Sequence, residues 1–157
     1  MVDLILTRAI HVLFVIHWIG GLAFVTLVVL PLGYDRRRAA ETLALFEVVE
    51  RRFSTQVRVS VPIAGAAGLW MTWRMQVWDR FLDPAYWWMG AMLGLWLLFM
   101  LMLFVVEPLM RRGFHASAAA DPAAILRRLT VVHGILLTLA ILTVLGAMAG
   151  AHGFNFT

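Results

Sequence analysis

The chain has 157 residues, of which 62% are hydrophobic and 14% charged, with a mean hydropathy of +0.87 and a net charge of +4. That balance is too apolar for an ordinary soluble domain and points to an integral membrane protein. The absence of cysteine excludes disulfides, iron–sulfur clusters and thiolate metal sites, so any metal falls to histidine, methionine or carboxylate.

Four apolar segments follow one another, at 4–32, 57–73, 86–110 and 129–151. Each approaches or exceeds the ~20 residues that a helix needs to cross ~30 Å of hydrocarbon. The connections are short, so successive helices are expected to be antiparallel neighbours. The fold expected is all-α, a single transmembrane domain built as an up-down-up-down four-helix bundle. The first span exceeds a signal sequence's apolar core and no small-residue cleavage site follows it, so it is expected to be retained.

Its helix, around Arg8-Ala-Ile-His11 to His17-Trp18-Ile-Gly20-Gly21, carries two histidines. An imidazole in hydrocarbon loses the hydrogen bonds of water and demands partners or a ligand. The first connection is itself helical in pattern, with Glu47, Arg51, Ser54 and Arg58 on one face and Phe46, Val49, Phe53 and Val57 on another. Helix two is therefore expected to extend about four turns into the cytoplasm before the membrane. Asp83-Pro84 and Asp121-Pro122 read as N-caps followed by proline at the first helical position, starting helices three and four. Pro62 and Pro108 fall within spans and are expected to bend them.

Arginine sets the orientation. The first and third connections carry Arg36, Arg37, Arg38, Arg51, Arg52, Arg111, Arg112, Arg127 and Arg128, against Arg8, Arg74 and Arg80 on the other side. The excess places those connections in the cytoplasm and both termini outside, as in a bacterial inner membrane. Trp70, Trp73, Trp78, Tyr86, Trp87 and Trp88 then form an aromatic belt at the outer boundary. The basic balance serves orientation and lipid contact; nucleic acid is not an expected partner.

His11, His17 and His133 lie within spans, and His152 at the outer end of the last. Counting at ~1.5 Å per residue puts His11 roughly 10 Å and His17 roughly 20 Å below the outer surface, with His133 level with His17 and His152 nearer His11. Helices one and four could then supply haem ligands, His11 with His133 first among them. Six residues separate His11 from His17, however, so the two point about 120° apart and one straight face cannot serve two pairs. Neutral imidazoles ligate haem iron where thiolates are lacking. Arg51 or Arg58 could pair with propionates, or else snorkel or bridge to Glu47 or Glu50. Glu107, at the depth of His133, could relay protons with it or simply satisfy it.

Copper is the competing cargo, through His11, His152, Met89 and Met92, since thioether and imidazole suit Cu(I). Methionine is also a common filler of apolar cores. Gly20 and Gly21, Ala64 to Gly68, and Gly146 with Gly150 either pack helices closely or leave room for a flat macrocycle. No phosphate-binding glycine loop, nucleophile elbow or HExxH sequence is present.

His11, with Trp18 seven positions on and then Gly21-Leu22, resembles the first helix of the HemJ-type membrane proteins, a bacterial protoporphyrinogen oxidase group, and of the related CopD-like copper resistance proteins. Phe46-Glu-Val-Val-Glu50-Arg-Arg52-Phe53, ahead of an apolar span with an early proline at Pro62, is similar to that group's second-helix entrance. The resemblance covers roughly the first 75 residues. It implies haem b as cofactor, His11 as a functional histidine, and a haem-dependent oxidoreductase. The family's membrane lysine has no counterpart in this lysine-free chain, and His17 stands where the family has another residue. The expected function is that of a haem b-binding redox protein acting on a porphyrinogen or quinol, with a quinone or membrane partner taking electrons and a homo-oligomer as a further expectation. The alternatives are copper handling and a cofactor-free partner subunit.

Overall fold

A computed structural model describes residues 1–109 and 120–153. Met110, Arg111 and Arg112, named above at the end of the third span and in the third connection, lie outside them. Among the described residues the chain is helical, with no strand.

Helix α1 is Val2–Phe24, which continues through a π turn at Val25–Val29 into a 3-10 turn at Leu30–Gly33. Helix α2 is Ala39–Met75, α3 is Trp87–Leu101 followed by a π turn at Met102–Val106, and α4 is Pro122–Ala151. Pro31 and Pro108 each stand two residues beyond a π turn. A proline has no N–H to give the carbonyl four residues back, and the widened turn just before it takes up that mismatch. Asp121 caps α4, its carboxylate accepting from Ala124 N at 3.0 Å, and Asp83 does the same for Ala85 N at 2.9 Å. The latter cap opens a short 3-10 turn, Pro84–Tyr86, which leads into α3.

The register between helices can be read from side-chain pairs. Asp3 meets Arg74, His11 meets Ala64, His17 meets Gln56 and Ser60, and Gly21 faces Phe53, so α1 and α2 run antiparallel. Trp96 bonds Val61 while Glu107 bonds Ser54 and Arg58, so α2 and α3 do likewise. Trp87 lies on Gly146 and Trp88 on Gly150, so the start of α3 meets the end of α4. One apolar cluster, Val25, Val29, Leu30, Leu43, Phe46 and Leu126, fills the arginine-rich end. A second, Trp18, Val57, Val61, Leu95, Leu103 and Ala140, fills the middle.

Among the described residues three helices, not the four expected, are both long and apolar enough to cross a membrane: Val2–Gly33, Pro84–Leu109 and Pro122–Ala151. Their outward faces expose Ile5, Leu13, Ile16, Leu97, Ile135 and Leu142, the surface an apolar solvent such as lipid covers. Helix α2 has the length, 37 residues or about 55 Å, but not the hydropathy. The reason is its place in the fold: it packs against all three others and supplies eleven buried residues, against five from α4 and two from α3. Its remaining side, with Ala44, Val48, Arg51, Arg52, Thr55 and Val59, is exposed, and a helix with one packed and one exposed side need not be apolar all round.

Candidate functional site

Polar side chains concentrate on the middle of α2, on two opposite faces. At ~100° per residue, Ser54 and Arg58 lie on one side and Gln56 and Ser60 on the other.

On the α3 side, Arg58 Nη2 donates to Glu107 Oε1 at 3.0 Å and Ser54 Oγ donates to Glu107 Oε2 at 2.8 Å. Ser54 is fully buried, while the Arg58 and Glu107 side chains are 32% and 21% exposed. The guanidinium expected to serve propionates is thus engaged by Glu107, and Arg51 lies exposed a turn or more away. Glu107 joins Arg58, not His133, which corrects the pairing drawn from depth alone. In chain register Glu107 faces the turn of α2 holding Ser54 and Arg58, whereas His133 faces Phe46.

On the α1 side, both nitrogens of His17 are engaged. Nδ1 lies 2.8 Å from Ser60 Oγ and Nε2 lies 3.2 Å from Gln56 Oε1. The Ser60 hydroxyl lies within reach of both the Gln56 backbone carbonyl oxygen, at 3.0 Å, and His17 Nδ1, and its single proton serves one of them at a time. With the Gln56 amide oxygen toward Nε2, Nε2–H donates to it and Nδ1 takes the Ser60 proton, so a neutral ring is fully bonded. Turning that amide by half a rotation brings its NH₂ to Nε2 and satisfies the neutral Nδ1–H ring equally well. The pocket therefore accommodates either neutral tautomer without moving a helix. Phe53 forms one wall, its ring centroid 5.7 Å from the imidazole and its edge filling the space at Gly21.

The other histidines lie at different heights. His11 Nδ1 donates to Ala64 O at 2.7 Å, and its Cε1 stands 3.3 Å from where a Cβ on Gly68 would be. Glycine at 68 is what lets the ring reach the α2 backbone. His133 Nδ1 donates to Leu129 O of its own helix at 2.9 Å, with the ring edge-on to Phe46 at 5.5 Å. His152 Nδ1 donates to Met148 O at 2.8 Å, exposed at the end of α4. Measured along α2, His11 and His133 attach at Ala64 and Phe46, 18 residues and therefore about 27 Å apart. Metal–nitrogen bonds are about 2 Å long, so these two histidines of one chain do not share an iron. His17, level with neither, has both nitrogens occupied.

The glycine-lined gaps are filled by the chain's own rings. Phe53 occupies the space at Gly21, Trp96 that at Gly65, and Trp87 and Trp88 those at Gly146 and Gly150. These residues do not fit a macrocycle between helices; the glycines serve close packing instead. Met89 is buried and Met92 half-buried on α3, while His152 is exposed at the tip of α4. Among the described residues no three histidines or carboxylates are grouped to hold a metal ion.

Sequence reasoning missed Gln56, Ser60 and Trp96, whose Nε1 donates to Val61 O at 2.9 Å. The signal for the first two lies in the α1–α2 hairpin, where facing residue numbers sum to 73–77, which sets position 17 opposite 56–60. The buried indole nitrogens of Trp18 and Trp88 have no acceptor among the described residues. Set against protein-family models, curated proteins and solved structures, the chain matches none, so the likeness to the HemJ-type first helix rests on its own residues.

Proposed function

We propose that the chain is an up-down-up-down transmembrane four-helix bundle of a bacterial inner membrane, with α2 as its fourth span and both termini outside. In this reading it serves the oxidation of a hydrophobic hydrogen donor, of the quinol or porphyrinogen class; of the two protons lost with each electron pair, His17 takes up one and water takes the other. The electrons pass to a redox partner in the membrane. The observation that carries the reading is the hydrogen bonding of both His17 nitrogens by Ser60 and Gln56, which holds an acid–base side chain in place between α1 and α2. An ionisable side chain held among apolar helices is costly unless it works. The Arg58–Glu107 pair, on the opposite face of the same turns of α2, keeps a charge pair within the helices through mutual neutralisation.

Quinol oxidation in proteoliposomes, with an artificial electron acceptor, tests it. Loss of a positioned acid–base group removes about 10²–10⁴ in rate, so His17→Gln is expected to slow turnover by at least about 10². Wild-type protein that oxidises no hydrogen donor, or a His17→Gln variant at the wild-type rate, contradicts the reading.

A haem b held by one histidine is a second reading. What favours it is the Nδ1–H bond of His11 to Ala64 O and of His133 to Leu129 O, which leaves Nε2 as the unpartnered lone-pair nitrogen, as in metal-bound imidazoles. Such a group would lie on the outside of the helices and supply an electron acceptor there. It predicts a Soret band in purified protein that is lost in His11→Ala or His133→Ala.

A further inference from the structure

At the arginine-rich end, where α4 begins beside the end of α1, the fold leaves a cavity of about 440 Å³. Gly33, Tyr34, Asp121, Arg127 and Thr130 are on its walls. A groove of about 360 Å³ runs on from it along the outward face of α4, over Gly134, Ile135 and Leu139. Thr130 and Val131 line both, so the two hollows adjoin.

Their chemistry differs along the path. Arg127 at the mouth brings a guanidinium, and the exposed Tyr34 brings a phenol. Asp121 brings a carboxylate, but one that is occupied in capping α4 through Ala124 N. Farther along, the hydroxyls of Thr130 and Thr138 donate to Leu126 O and Gly134 O, so these residues turn methyl groups to the groove. A Cβ at Gly134 would meet nothing within 4 Å, which makes that glycine the open floor of the groove.

We infer that this path is a binding site for one anionic phospholipid, its phosphate on Arg127 and one acyl chain laid along α4 over Gly134. The inference rests on the transmembrane reading, because only then does the groove face lipid. Charge selects the occupant: Arg128 follows Arg127 directly, and Arg37 and Arg38 stand at the same end of the helices, so a phosphate diester with a net negative head is favoured over a zwitterionic one.

Native mass spectrometry of the full, delipidated protein titrated with phosphatidylglycerol or phosphatidylcholine reads the preference. Wild-type protein is expected to retain phosphatidylglycerol about fivefold more than phosphatidylcholine, the effect of one arginine at an anionic surface. Arg127→Ala, at an exposed position, is expected to erase that preference. Gly134→Leu, whose side chain enters the groove rather than the protein, is expected to lose both lipids with helicity unchanged. Equal retention of the two lipids by wild-type protein, unaltered phosphatidylglycerol retention in either variant, or displacement of the lipid by an added quinone overturns the site. Side-specific labelling of α2 reports separately on the transmembrane reading.

Discussion

Replacing Gly65 by alanine tests the packing of α3 on α2 most sharply. The new Cβ would stand 2.1 Å from Cε2 and 2.2 Å from Nε1 of Trp96, where an ordinary contact needs about 3.5 Å. The indole must withdraw by more than 1 Å, and its bond to Val61 O, now 2.9 Å, passes the limit of about 3.5 Å. Overpacking costs about 1–3 kcal/mol and the orphaned indole N–H about 1–3 kcal/mol more. Alanine returns about 1 kcal/mol of helix propensity, leaving a net loss of about 1–5 kcal/mol. Gly20→Ala is the control, since its Cβ would meet nothing within 4 Å and only the propensity gain applies. Unfolding in mixed micelles by dodecyl sulfate, followed by tryptophan fluorescence and circular dichroism, reads both. Gly65→Ala as stable as Gly20→Ala would refute the close approach of Trp96 to the α2 backbone.

Because the chain has no cysteine, Ala40→Cys and Gln76→Cys place single labels at the exposed ends of α2. Impermeant maleimide is expected to reach them from opposite faces of right-side-out and inverted vesicles, and labelling from one face removes α2 as a span. Arg58→Ala leaves Glu107 without its guanidinium and is expected to cost about 3–5 kcal/mol, whereas Arg58→Met with Glu107→Leu restores most of it. Equal stability of wild type and Arg58→Ala in the same sulfate titration would show the pair to be idle.

Hydropathy locates α1, α3 and α4 because these helices turn much of their surface outward, and the residues that face lipid are also those that raise a hydropathy window. Helix α2 is harder to place because it carries Ser54, Arg58 and Ser60 on its packed sides and Arg51, Arg52 and Gln56 on its exposed side, and these lower its score. The Asp121-Pro122 cap is legible because capping is local: a carboxylate, a proline, and an N–H three residues on. The histidine heights are not, because counting down each helix from an assumed surface ignores the register that the turn at residues 34–38 imposes. Counting sets His133 level with His17; packing sets it beside Phe46, near the arginine-rich end. Likewise Gly146 and Gly150 have the spacing of a helix-dimer motif, but what fills them is the pair of rings Trp87 and Trp88, a long-range fact that spacing does not contain.

Nitrogen-15 NMR of histidine-labelled protein in nanodiscs measures directly whether both His17 nitrogens are hydrogen-bonded between α1 and α2. The expected result is a resonance pair, absent from His17→Gln, in which both nitrogens carry hydrogen-bonded shifts and the Ser60→Ala variant alters the Nδ1 signal alone. Signals of a ring bonded to neither Ser60 nor Gln56, or an Nδ1 signal unaltered in Ser60→Ala, contradict the account.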